Sequence, residues 1–293
     1  MKYRFIDKEK PHHAVSLLCR VLGVTRAAYY AWRKRGVSAH QEQDDALKDW
    51  IEYFFECSRR IYGAPRIHAD FKLGLGVSVS KKRVARLMRE LDITGVSKGR
   101  GKQQPPKMPP ECEAAPDLVR RVFTADAPNR FWSADITYLR TREGWLYLAL
   151  VMDVFSRRIV GWSMAGRLHA EIVVDAVCMA LTRRDPPPGL IHHSDRGSQY
   201  RSLLFGKTLA ASGVAASMGS RGDAYDNAIT ESIMSTIKNE LVEREVYESK
   251  DIARLAVFDY IECFYNSYRR HSSLGQLNPI EFEEKMGLAA PVA

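Results

Sequence analysis

The sequence predicts an α/β architecture, a mixed sheet with flanking helices, preceded by a small all-α N-terminal region of helix-turn-helix type. Three observations carry this. The stretch KGRGKQQPPKMPPECEAAPD at 98–117 breaks the periodic apolar pattern with five prolines and reads as an extended linker. Upstream of it, apolar residues recur at helical spacing in short runs. Downstream, β-branched and aromatic residues gather in three adjacent segments, after which strand-like and helix-like segments alternate. The chain thus divides into a basic helical region at 1–97, a linker at 98–122 and an α/β region with a helical tail at 123–293.

Each element has its own warrant. Residues 14–21 form a short apolar helix, Gly23 supplies a turn, and Thr25 caps a second helix over 26–35 that carries Arg, Tyr, Trp and Lys. A second helical set follows: a helix from about 44 to 58, the segment PRIHADFK, and KKRVARLMRELDI capped by Ser80. FWSADITYL (131–139), GWLYLALVMDV (144–154) and RIVGWSMA (158–165) read as a three-stranded meander. A helix at about 169–182, the strand LIHHS, a helix near 199–212, a further strand at GVAASMGS and a helix over 224–242 complete the pattern.

Bulk properties exclude several classes. With 293 residues, 45% of them hydrophobic and 27% charged, the chain has the composition of a soluble globular protein. Its longest apolar run, WLYLALVMDVF at 145–155, is too short to span a bilayer and contains Asp153. The charged N-terminus lacks the apolar core of a secretory signal, so a cytoplasmic location is expected. Cys19, Cys57, Cys112, Cys178 and Cys263 form no C-x-x-C pair and are expected to be reduced core residues. Charge is unevenly spread: residues 1–122 hold 25 Lys and Arg against 14 Asp and Glu, whereas 123–293 hold 19 against 21. A net of +11 on the first part and −2 on the second is the footprint of a polyanion-binding region, nucleic acid being the commonest such partner. A well-solvated basic surface is the plain alternative.

Three acids stand out within the α/β region. Asp135 interrupts a half-buried strand, and a buried carboxylate without a partner or a metal is costly. Asp195 ends the strand LIHHS, at the carboxyl edge where open sheets place ligands. Glu231 sits near the apolar face set by Ile229, Ile233 and Ile237. Oxygen ligands from three segments suit Mg²⁺ or Mn²⁺, and two such ions about 3.5–4 Å apart serve phosphodiester chemistry. Singly, each acid also has a structural explanation. Asp195 can cap the next helix, Asp135 can pair with Arg140 or Arg142, and Glu231 can pair with Lys238. Asp153 reads as structural, with Arg157 as its partner.

Taken together, WSADITYL, IHHSDRGSQY and DAYDNAITESIMSTIKNE resemble the D-D-E signature of transposases and retroviral integrases, and more narrowly the second-frame (OrfB) protein of the IS3 family of insertion sequences. Asp195 and Glu231 are separated by 35 residues, as in that family, and Lys238 occupies its basic position on the same helix. YGAPRIHADF (62–71) resembles the family's helix-turn-helix segment, DVFSRRIVGW (153–162) its second and third strands, and YNSYRRHSSLGQLNPIEFE (265–283) its C-terminal signature. Ile233 and Met234 stand where many members carry aromatics, and the His-His-Cys-Cys zinc unit of retroviral integrases is not present in this sequence.

The resemblance implies a ribonuclease-H-like core in which Asp135, Asp195 and Glu231 hold two Mg²⁺ or Mn²⁺ ions, Asp135 bridging both. It implies a bacterial transposase that cuts DNA at the ends of its element and joins the freed 3′-hydroxyl to a new site. It also implies action as a homo-multimer on DNA, together with a first-frame OrfA product or a frameshift fusion. The other readings are a DNA-binding accessory protein without catalysis of its own, and a nonspecific nuclease of the same fold. Candidate DNA contacts are Arg66, Lys81, Lys82, Arg83, His193, Arg196, Lys238, Arg269 and Arg270. The aromatic and basic run Tyr265, Tyr268, Arg269, Arg270 and His271 fits nucleic acid, or else the docking of a terminal segment.

Overall fold

A computed structural model describes residues 1–34, 38–96, 115–119, 124–219, 234–242 and 244–287. The linker expected at 98–122 lies mostly outside the described residues, as do Cys112 and Glu231.

Three short helices, α1 (Lys2–Glu9), α2 (Val15–Val21) and α3 (Arg26–Lys34), open the chain and bury Ile6, Leu18, Cys19 and Tyr29 in a core of their own. Gly23 takes φ +63° between α2 and α3, and Thr25 Oγ1 accepts the Ala28 N–H at 3.1 Å. A longer α4 (Ala39–Cys57) follows, starting ahead of the expected residue 44 because Ser38 accepts the Gln41 N–H and caps it. After it come α5 (Ala64–Ala69), which runs into a π-helical turn at Asp70–Gly74, and α6 (Lys81–Glu90), capped by Ser80 through the Arg83 N–H.

The sheet is a five-stranded mixed sheet in the order β3-β2-β1-β4-β5. Strands β1 (Phe131–Thr141), β2 (Gly144–Asp153) and β3 (Ile159–Ala165) form the expected antiparallel meander. The helix α7 (Glu171–Arg184) then crosses over, and β4 (Ile191–Ser194) adds parallel to β1. A second helix, α8 (Leu203–Ala211), leads to β5 (Ala215–Met218), parallel to β4. Residues 234–237 are helical and pass into a π-helical turn at Lys238–Val242. Next, α9 (Lys250–Phe258) continues into a further π-helical segment, Asp259–Tyr265, and α10 (Pro279–Lys285) follows with an Asn278–Glu281 capping box.

Alternation along the strands sends the two faces to different cores. Trp132, Ala134, Val151 and Val160 pack with Ile172, Val173 and Val177 of α7 and Phe205 of α8. Leu139, Leu148 and Leu150 pack on the opposite side with Met234, Ile237, Tyr260 and Phe264, in a cluster that also takes in Phe54, Tyr62, Phe71 and Leu87 from the α4–α6 region. The helical segments before the linker and the helices near the end of the chain thus share one apolar core with the sheet. Tyr62 joins them in polar terms too: its hydroxyl accepts the Arg270 N–H at 2.7 Å and donates to the Tyr268 carbonyl at 3.2 Å.

Two expectations are corrected. Of the described cysteines only Cys19 is buried, while Cys57, Cys178 and Cys263 are exposed, since each falls on the outer side of its helix. Asp153 is fully buried as a structural acid, but its ionic neighbour is Arg184 at 3.7 Å rather than Arg157, whose backbone N–H bonds the Asp153 carbonyl instead. The carboxylate also accepts N–H groups from Asn129 at 2.7 Å and Phe155 at 2.9 Å, which anchors the β2–β3 turn.

Candidate active site

The site is built by the pairing of β1 with β4. Phe131, Trp132 and Ser133 lie abreast of Ile191, His192 and His193; Asp135 follows this pairing by two positions along β1, and Asp195 follows it by two positions just past the end of β4. Asp135 lies opposite Leu150 on β2, on the face covered by the later helices. Its carboxylate accepts the Ile136 N–H at 2.7 Å, and with Met234 and Ile237 it lines one narrow cavity. Met234 is three positions beyond Glu231 in sequence, and the helical residues 234–237 pack over the Asp135 face.

Asp195 stands at the exposed strand end, where Oδ1 accepts the Gly197 N–H at 2.9 Å. Desolvation by the protein packed around it pushes its carboxyl up, and that one hydrogen bond opposes the rise. A Cβ at Gly197 would stand 3.0 Å from Asp195 Oδ1 and 3.3 Å from Gln199 Oε1, so glycine is what lets the turn fold this closely over the acid. Asp135 and Asp195 offer oxygen donors only, the set preferred by a hard divalent cation such as Mg²⁺ or Mn²⁺.

The candidate DNA contacts separate into exposed and engaged groups. Lys81 and Lys82 are exposed on the first turn of α6, and Arg196, also exposed, donates to the Gly219 carbonyl at 2.6 Å. Lys238 is half-buried at the start of its π-helical turn. Arg83 is paired with Asp44 at 2.7 Å; Arg86 above all, together with Arg83, lowers the Asp44 pKa to about 2. Arg270 pairs with Asp70, and Arg66 lies 3.4 Å from Glu240. His193 is buried on β4, its Nδ1 3.0 Å from Ser217 Oγ on β5.

Arg269 is not on a DNA-facing surface at all. It is 3% exposed, and its guanidinium spans both Glu240 oxygens at 2.6 Å. Tyr260 donates to the same carboxylate at 2.9 Å. The run Tyr265, Tyr268, Arg269, Arg270 and His271 is therefore the docking contact of a terminal segment, the second of the two readings the sequence allowed. Sequence reasoning missed Glu240 as its partner. The signal was available: Glu240 follows Ile233 and Ile237 at helical spacing and so falls on the buried face.

Comparison with known proteins follows the same layout. Residues 42–101 match the HTH-like domain family, and residues 125–224 and 212–279 match two families described as Integrase core domain. The transposase InsF of insertion sequence IS3A from Escherichia coli K12 is 39% identical over 288 residues, covering 97% of this chain and 99% of the relative. The chain belongs to the IS3 family of transposases. An uncharacterized 31 kDa protein of insertion element IS600 from Shigella sonnei is also 39% identical, over 92% of this chain and 98% of its own. Among solved structures, a chain of the simian T-cell lymphotropic virus intasome in complex with PP2A regulatory subunit B56 gamma is 13% identical, with a TM-score of 0.45, over 79% of this chain and 78% of that one. The transposase carries its mixed sheet within the first integrase-core match, and most of α4 with α5 and α6 within the HTH-like match. Among the described residues, no helix is long and apolar enough to cross a membrane.

Proposed function

We propose that this transposase cleaves DNA at the ends of its element and joins the freed 3′-hydroxyl to target DNA at a site formed by Asp135, Asp195 and Glu231. The observation that supports the reading is the β1–β4 register: Asp135 and Asp195 each come two positions after its last pair, Ser133 and His193. Two divalent ions bound there would supply charge neutralisation at the attacking and leaving oxygens. The chain's own part is positioning: Asp135 is fixed within β1, Asp195 is held by the Gly197 N–H, and Met234 and Ile237, three and six positions after Glu231 in sequence, pack at the Asp135 face. No covalent protein intermediate is required, because water and a DNA hydroxyl are the nucleophiles.

Lys81 and Lys82 would meet DNA phosphates at the first turn of α6, where the helix dipole adds to their attraction. Arg196 and Lys238 would contact the backbone of the reacting strand. Synapsis of two element ends would require a multimer, with a first-frame product supplying further end recognition in a cytoplasmic, nucleoid-bound assembly.

The test is a Mn²⁺-dependent cleavage and joining assay on DNA carrying the element's ends, run beside Glu231→Gln. Nicked and joined products from the wild type and neither from the variant are expected. Wild-type protein that binds the ends but leaves them uncut would remove catalysis by the chain alone.

A further inference from the structure

The basic excess of the helical region is not spread evenly over it. Residues 1–34 hold 8 Lys and Arg against 2 Asp and Glu, a net of +6, whereas residues 38–96 hold 10 against 9, a net of +1. Pairing differs in the same direction. Six of those ten basic side chains, Arg66, Arg83 and Arg86 among them, lie within 3.4 Å of an acid. On α1–α3, only Lys10 and Arg33 approach an acid among the described residues, at 2.7 and 3.6 Å, and both approach Asp7. The positive charge left without a counter-charge therefore sits mainly on the first three helices, ahead of the HTH-like match.

Those helices also have the build of a helix-turn-helix. Four residues, 22–25, join α2 to α3, with Gly23 at φ +63°, and the Val24 N–H closes the turn on the Cys19 carbonyl at 2.9 Å. Tyr29 and Trp32 face the α1–α2 core, and the Tyr29 hydroxyl donates to Asp7 at 2.8 Å, which ties α3 to α1. Helical spacing then puts Arg26, Tyr30, Arg33 and Lys34 on the opposite side, with Ala27 and Ala31 between them, and all six are exposed. The α3 sequence RAAYYAWRK contains no acid.

We infer that α1–α3 form a second DNA-contacting unit, separate from the α6 lysines, in which α3 lies in the major groove of duplex DNA with Arg26 and Tyr30 toward base edges and Lys34 toward the phosphates. The inference rests on the proposed action of the chain on element ends. Duplex DNA is the occupant this face fits, because its charge complements a net of +6 and its major groove admits one helix. Guanidinium, phenol and ammonium groups serve such a polyanion, and the two alanines let the helix approach it closely.

The test measures binding of the full chain, without divalent metal, to a duplex carrying an element end, by fluorescence anisotropy at several salt concentrations. Arg26→Ala is expected to weaken binding about tenfold, and Lys34→Ala to lower the slope of log affinity against log salt by about one. Both side chains are exposed, so Tm should stay as in the wild type. Lys72→Ala removes an equally exposed charge from the π-helical turn after α5 and should change neither quantity. Methyl green, a major-groove ligand, should compete with the wild type and netropsin, a minor-groove ligand, should not; the reverse overturns the placement of α3. Arg26→Ala and Lys34→Ala proteins that bind as the wild type does, or an equal loss in Lys72→Ala, overturn the unit itself. Mn²⁺-dependent joining keeps the two hypotheses apart. End DNA that is bound through α3 but never joined removes catalysis by the chain and leaves this inference standing, whereas joining with unaltered affinity in both α3 variants removes the inference and leaves the catalytic reading.

Discussion

At the scale of single residues, the acid site depends on how closely the backbone approaches Asp195. Gly197 shows this: an added Cβ would press on Asp195 Oδ1 at 3.0 Å and Gln199 Oε1 at 3.3 Å, so the acid must shift by a few tenths of an ångström. Gly197→Ala is expected to fold normally and to lose roughly tenfold in joining rate, about 1.4 kcal/mol of transition-state stabilisation. Joining assays beside thermal unfolding check this, and an unchanged rate would show that the turn has slack. Arg269 makes the opposite kind of contribution. Replacing it with Met leaves the Glu240 carboxylate buried without its bidentate partner, a change expected to cost about 3–5 kcal/mol in urea denaturation. DNA affinity per folded molecule should stay unchanged, since Arg269 is covered.

At the scale of elements, close approach of backbones decides which residues are tolerated. β3 runs against α7 at Gly161, where a Cβ would meet the Ala176 carbonyl at 2.2 Å and Ala180 Cβ at 2.8 Å. Gly161→Ala therefore forces strand and helix apart and is expected to destabilise the protein by about 1–3 kcal/mol or more, measured by denaturant midpoint. The π-helical stretches at Asp70–Gly74, Lys238–Val242 and Asp259–Tyr265 place Asp70, Glu240 and Tyr260 in buried polar contacts. Of these, only the second lies within a segment, 224–242, that helical periodicity in the sequence marks as a helix. Periodicity does not mark the extra residue per turn, because that is set by the partner across the interface. The strand reading succeeded for the same reason in reverse: β1 to β3 are consecutive and joined by tight turns, so their pairing is local.

At the scale of the whole molecule, charge and protonation become measurable. The basic excess of residues 1–122 predicts salt-sensitive DNA binding. Replacing both exposed lysines, Lys81 and Lys82, with Ala should weaken binding across sequences and reduce the slope of log affinity against log salt by about 2, near one for each phosphate no longer neutralised. Titrations at several salt concentrations check this, and an unaltered slope would take α6 off the DNA. Acid sensitivity follows from His192. Its folded pKa of about 3 lies below the unfolded value, so the unfolded chain binds one more proton between the two. The stability that comes from keeping it neutral is present above about pH 6.5 and falls by about 1.4 kcal/mol per pH unit as pH drops toward 3. Denaturation of metal-free protein at about pH 7 and pH 5, with His192→Phe as control, measures that slope.

The sequence by itself determined the meander, the alternation of strand and helix after it, the acid at the end of β4 and the uneven charge, because all of these are written in local periodicity and local composition; the helices at Lys2–Glu9, Lys250–Phe258 and Pro279–Lys285 were not read from it. The family followed from motifs of fixed spacing. Tertiary structure alone decided the rest. It made Arg269 a buried partner of Glu240 rather than a DNA contact, gave Asp153 to Arg184, and exposed three cysteines expected inside. It also joined α4 to α6 with the sheet in one apolar core. Those outcomes depend on which segments distant in sequence meet, and a charged or apolar side chain carries no mark of its partner until the chain has folded around it.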